Sequence, residues 1–262
     1  MTLNLTTVGI LIYATMAVWL VSIVLHAAKA PGRRETFLGG FAIALAAFVV
    51  RWFEVSHVPL QSLMEVFLAL GVAIWPLWMF CQKFLGARGV VSALVVGVVL
   101  LFPAGFVFSS APQHLPPALQ SWLFIPHVTA YMLSYTILVL AAVQSVLQLT
   151  GPQDGPDAHL YEQASSSMMK LAFPLLTTGL ILGAVWGKLC WGDYWNWDPK
   201  ELWSLATWLL VAAYLHFRSM YGSRFPKANA ICVITVSVCV ILTLIWINLG
   251  SKIFKGMHMY AD

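Results

Sequence analysis

The sequence predicts an all-α membrane protein: a polytopic bundle of about eight transmembrane helices with both termini outside. Three observations carry this reading. The chain is 60% hydrophobic and only 9% charged, whereas a soluble domain is roughly 45–50% apolar and about 25% charged. Its mean hydropathy is +0.83. Its apolar runs approach the roughly 20 residues that a helix needs to cross a hydrocarbon core of about 30 Å. They lack the alternation over segments of about ten residues that marks a membrane barrel.

The eight runs lie near 7–27, 36–53, 62–80, 90–108, 123–148, 171–189, 199–218 and 228–248. An even number leaves both termini on one side. Basic residues set which side. One set of loops carries Lys29, Arg33, Arg34, Lys83, Arg88, Lys170, Arg218, Arg224 and Lys227; the other carries Arg51, Lys188, Lys200, Lys252 and Lys255. The richer set belongs in the cytoplasm, so both termini and the loop after the sixth run face outward. The net charge of +4 then reflects orientation in membrane lipid rather than nucleic-acid binding. The first nine residues carry no charge, so the first run reads as a retained helix and not as a cleaved signal. The polar stretch 151–167, with Gly151-Pro152 and Gly155-Pro156, reads as a surface loop. No linker or repeat divides the chain, and residues 1–262 read as a single integral membrane domain.

The chemistry concentrates in one stretch. Six of the twelve tryptophans stand between Trp186 and Trp208, and four charged residues between Asp193 and Glu201. The external tryptophan-rich loop is placed at about 186–203. Asp198-Pro199-Lys200-Glu201 has the form of a helix start: Asp198 as N-cap, Pro199 in the first helical position, Glu201 closing a capping box. That reading leaves Trp191, Trp195 and Trp197 unexplained, since no helix anchors them as a membrane-interface belt. Trp203 and Trp208 fit belt or packing positions. A surface of indoles suits a flat apolar ring such as a porphyrin, and Lys188 and Lys200 suit its carboxylates.

Trp191-Gly192-x-Tyr194-Trp195-x-Trp197-Asp198-Pro199-Lys200-Glu201 resembles the tryptophan-rich WWD signature of heme-handling membrane proteins. Its Asp-Pro-Lys-Glu ending is similar to the CcsA/ResC branch, the membrane component of a cytochrome c synthase. The segment 57–65, the segment 117–121 with His127-Val128 and Ser134-Tyr135, and the C-terminal Gly256-Met257-His258-Met259-Tyr260 also resemble that branch, with Met257 and Met259 departing from the usual residues. The resemblance implies a cargo of heme b (iron protoporphyrin IX). It implies a CcsB/ResB-like membrane subunit as partner, an apocytochrome c presenting Cys-x-x-Cys-His as acceptor, and an associated thiol-reducing pathway. It implies a bacterial cytoplasmic or thylakoid membrane, with the tryptophan-rich loop on the periplasmic, extracytoplasmic or lumenal side. The chain has four cysteines and no Cys-x-x-Cys, so acceptor thiols come from elsewhere and no catalytic residue is assigned. The subunit role makes enzyme activity depend on the partner. A CcmC-like exporter or delivery protein that loads a heme chaperone is the alternative.

Seven histidines remain to be sorted. His127 opens the fifth run and His258 lies in the outer tail, on the side of the tryptophan stretch. The resemblance implies that these two ligate heme iron, and neutral imidazole is a suitable ligand. His216 stands seventeen residues beyond Pro199, which is about 25 Å along a helix at about 1.5 Å per residue. His26 has a similar depth in the first run. An ionisable group within a span is a functional candidate, and the resemblance implies transmembrane heme ligation by His216, with His26 as its candidate partner. The expected heme-contacting set is therefore His127, His258, His216, His26, Trp191, Trp195, Trp197, Asp198 and Lys200.

Overall fold

The computed structural model describes residues 4–151 and 156–246. Among these residues helix is the only regular secondary structure. In order, the elements are α1 (Thr7–Ala27), α2 (Arg33–Val55), α3 (Leu63–Leu85), α4 (Val90–Phe106), a 3₁₀ turn (Pro117–Leu119), α5 (Phe124–Thr150), α6 (Pro156–Trp191), α7 (Pro199–Tyr221) and α8 (Pro226–Ile241). A π turn (Leu242–Trp246) continues α8. Helices α1, α2, α3, α5, α6 and α8 are long and apolar enough to cross a membrane. Helix α4 is apolar but 17 residues long. In lipid a helix satisfies its own backbone, which is why apolar runs resolve into this element alone.

The chain divides into two compact units. Among the described residues, 4–80 and 89–120 form the first, and 81–88, 121–151 and 156–246 the second. In the first unit α1 packs on α2 and α4. The reason is Trp19, fully buried, whose Nε1 donates to the Phe37 carbonyl (3.2 Å). A Cβ at Gly97 would stand 2.5 Å from the Trp19 ring, and Gly40 is equally close-fitted. Small residues here let backbones meet around one large ring.

An ion pair closes the other feature of this unit. Arg51 is 1% exposed and Glu65 2%. Arg51 Nε donates to Glu65 Oε1 (2.9 Å), and its NH1 donates to the Ser110 carbonyl (2.7 Å). Glu65 Oε2 accepts from the Gln61 and Ser62 amides (2.9 and 3.1 Å). A buried charge persists only when paired and fully hydrogen-bonded, and this pair meets that condition by pinning segments 61–62 and 110–111.

In the second unit α5 is the central helix, packed along α6 and against α8. Its buried polar groups bond to neighbouring backbone. Ser134 Oγ donates to the Ala172 carbonyl (2.9 Å), and the Gln144 amide takes both the N–H and the carbonyl of Arg88 (3.0 and 2.8 Å). Helices α6, α7 and α8 meet at Glu162. Its carboxylate accepts from Arg218 NH1 and from Asn229 Nδ2 (2.9 Å).

Two expectations are corrected. The stretch 151–167 is not a surface loop: α6 begins at Pro156 and runs 36 residues. Glu162 is 3% exposed, and Ala164, Met168 and Met169 are buried with it. A helix turn whose polar side chains are neutralised in the interior escapes a hydropathy reading. The tryptophan-rich loop is also shorter than 186–203, because α6 continues through Trp191 and α7 begins at Pro199, leaving residues 192–198.

Glu65→Ala should destabilise the protein by about 3–5 kcal/mol, because it leaves the buried guanidinium with only the more distant and part-exposed Glu54 carboxylate (3.4 Å). The measurement is thermal unfolding in detergent. Arg51→Met combined with Glu65→Leu should recover only part of the loss, since the Ser110 carbonyl and the Gln61 and Ser62 amides still lose partners.

Candidate functional site

The turn between α6 and α7 is held by carboxylates. Asp198 is the N-cap of α7, and its Oδ1 accepts from the Lys200 amide (2.9 Å). Glu201 Oε2 accepts from the Asp198 amide (3.1 Å) and reaches back to the Asn196 amide (2.8 Å). The capping box expected from Asp198 and Glu201 is therefore present, and it fastens one residue pair beyond the helix itself. On the α6 side, Lys188 Nζ donates to the Gly192 carbonyl and lies 5.5 Å from the centre of the Tyr194 ring.

This fastening holds an unfavourable backbone. Trp197 has φ 58° and is 66% exposed. A side chain with a Cβ rarely adopts that region, which adds roughly 1–2 kcal/mol of strain. Trp195 and Trp197 meet edge to face at 6.0 Å. Beneath them, two buried donors, Trp195 Nε1 and Asn196 Nδ2, have no hydrogen-bond partner among the described residues. Such donors are uncommon in a folded interior.

A second aromatic group rises from α6 and α5. Trp186 is buried, with its ring 5.4 Å from Trp191, 5.5 Å from His127 and 6.2 Å from Phe124. His127 sits in the first turns of α5, half-buried. Its Nδ1 lies 2.8 Å from the Gly179 carbonyl of α6. A carbonyl only accepts, so Nδ1 carries the proton and the ring lone pair is on Nε2. One turn further along α5, the Tyr131 ring stands 5.1 Å from that of His127.

Two glycines that sequence reasoning missed make this possible. A Cβ at Gly183 would stand 2.5 Å from His127 Cε1, and a Cβ at Gly179 2.8 Å from Tyr131 Cδ2. The available signal was the four-residue spacing of small residues on a predicted span. Trp186 was within the stretch singled out but was not expected to contact a histidine.

The remaining expected residues separate. Lys200 is half-buried in the first turn of α7. Trp208 Nε1 donates to Thr177 Oγ1 (2.9 Å), so this tryptophan packs α7 on α6. His216 is exposed, on the side of α7 away from buried Val211 and Tyr214. His26 belongs to the first unit, half-buried, with Nδ1 2.8 Å from the Ser22 carbonyl. His258 lies outside the described residues.

Comparison with known proteins gives the family. The family described as Cytochrome C assembly protein matches residues 60–254. That segment contains His127, Trp191, Trp195, Trp197, Asp198, Lys200 and His216, while His26 and His258 fall outside it. The chain is similar to the cytochrome c biogenesis protein CcsA of Chlamydomonas reinhardtii, 34% identical over 81% of this chain and 64% of that protein. It is 32% identical to CcsA of Guillardia theta over 80% of this chain and 79% of that one. It is 30% identical to CcsA of Mesostigma viride over 95% of both chains.

Glu201→Ala removes one acceptor from two amides of the turn. The expected result is faster hydrogen exchange at Asn196 and Asp198, by at least about tenfold for a loss of about 1.4 kcal/mol, and quicker proteolysis within 192–198. Asp198→Ala should cost about 1 kcal/mol as a lost N-cap, measured by thermal unfolding.

Proposed function

The chain belongs to the cytochrome c assembly protein family, and on that premise we propose that it binds heme b and presents it for covalent attachment to apocytochrome c. The single observation that carries this is His127. Its Nδ1–H is bound to the Gly179 carbonyl, which puts the ring lone pair on Nε2, the nitrogen that would bind the iron; the Trp186 ring stands beside the imidazole and meets Trp191 in turn. Metal-ligating histidines characteristically donate their other N–H in this way.

The residues present fit the cargo. Trp195 Nε1 and Asn196 Nδ2 are buried donors that a porphyrin carboxylate would satisfy. Exposed Trp197 and Tyr194 offer apolar ring surface next to them. His258 is proposed as a second residue that would bind the iron. Lys200 and Asp198 shape the charge at the rim. The heme supplies vinyl groups to which the thiols of a Cys-x-x-Cys-His segment add. This chain's own residues bind, orient and shield the cargo, so its contribution is positioning.

His216 is proposed as a heme ligand at an earlier station within the membrane, and His26 is proposed separately as a heme-contacting residue of the first unit. His216 is exposed on an otherwise apolar helix face flanked by Leu209 and Met220. An imidazole facing lipid is unfavourable, which supports a heme or a second subunit covering that face. A CcsB/ResB-like membrane protein is the proposed partner. The proposed setting is a bacterial cytoplasmic or thylakoid membrane, with the tryptophan turn on the outer side.

The test is the absorption spectrum of the purified chain, oxidised and reduced, for wild type and for His127→Ala, His258→Ala and His216→Ala. The expected outcome is bound b-type heme, shifted Soret bands in the first two variants and lower heme content in the third. Heme with an identical spectrum in all three would overturn the ligand assignment. Co-expression with the partner and an apocytochrome should yield thioether-linked heme. Heme found only on a chaperone would favour the delivery reading instead.

A further inference from the structure

We infer that Gly179 and Gly183 are positioning residues for heme ligation, forming a seat on α6 that fixes the ring plane and proton of His127. The inference rests on the reading of His127 as an iron ligand. Three observations carry it. His127 Nδ1 is 2.8 Å from the Gly179 carbonyl. A Cβ at Gly183 would come within 2.5 Å of Cε1 and 2.9 Å of Nδ1 of the same ring. The ring is bracketed by Tyr131 at 5.1 Å, itself seated over Gly179, and by Trp186 at 5.5 Å.

The two glycines act through different atoms. In an α-helix the carbonyl of residue i points toward residue i+4, so the side chain at i+4 stands beside it. Gly183 is four residues after Gly179. Without a Cβ there, the Gly179 carbonyl is open to a lateral donor from α5. Gly183 therefore creates the space, and Gly179 supplies the acceptor. The resulting N–H···O=C bond selects the tautomer with the lone pair on Nε2 and makes that nitrogen more basic. A more basic ligand favours ferric over ferrous iron, so the seat also sets the reduction potential of the bound cargo.

Gly183→Ala in the full chain tests this. The added methyl should tilt the ring and break its bond to Gly179. The expected result is heme binding weaker by about 10- to 100-fold. The reduction potential should rise by about 59 mV for each tenfold loss of ferric over ferrous binding. Gly39→Ala, on α2 with nothing within 4 Å of the added Cβ, serves as the control and should bind heme as wild type does.

A second background keeps the test valid if Gly183→Ala fails to fold. His127→Gly removes the ring that the methyl would strike, so the double variant has room for it. Added imidazole should restore the ligation spectrum of His127→Gly and fail to restore that of His127→Gly/Gly183→Ala. Equal rescue in both, or a wild-type spectrum and potential in Gly183→Ala, would overturn the seat alone. An unchanged spectrum in His127→Gly would overturn the seat together with the ligand reading beneath it.

Discussion

The close approach of α5 to α6 is the constraint on which the second unit depends. It exists because α6 carries Gly179 and Gly183 where α5 carries Tyr131 and His127. Larger residues at either glycine would push the two helices apart, and the His127 bond to a backbone carbonyl would be out of reach. Trp186 lies three residues after Gly183, on the neighbouring part of the same helix face, and so meets the His127 ring from the next turn. The tryptophan turn begins six residues after Trp186, at Gly192. Its position follows from that of α6.

Buried charge organises the rest of the molecule. In the first unit Arg51 and Glu65 neutralise each other and fasten two loop segments. In the second, Glu162 gathers Arg218 and Asn229, joining three helices. Both groups follow one rule: an ionic group removed from water must find its opposite charge and fill its remaining hydrogen-bonding capacity. Each therefore fixes backbone around it. The extension of α6 to Pro156 is a consequence, since Glu162 needs a helical turn to reach Arg218.

Among the described residues the tryptophan turn is one of three places, with Lys29 and Ser56, where a residue other than glycine takes a positive φ. Trp197 takes a positive φ, and the Glu201 carboxylate holds the amides on both sides of it, at Asn196 and Asp198. Strain of this kind persists only when neighbouring contacts over-determine it. Here it turns a large indole outward while Trp195 stays half-buried.

The sequence by itself determined what local chemistry decides. Apolar runs located the helices, with α1 falling on 7–27 as read. Asp198, Pro199 and Glu201 determined the start of α7, because a capping box is a bargain among four adjacent residues. The tryptophan spacing determined where an aromatic surface lies. Tertiary structure decided what depends on residues far apart in the chain. It decided that Gly183 leaves room for His127, fifty-six positions away, and that Gly179 holds its proton. It decided that Glu162 is interior and helical, where composition suggested a loop. It also turned His216 outward and bonded His26 to Ser22 within its own helix. The physical reason is the same in each case: a helix start or an apolar span is set by neighbours along the chain. A ring's rotamer, proton and partner are set by whichever helix folds against it.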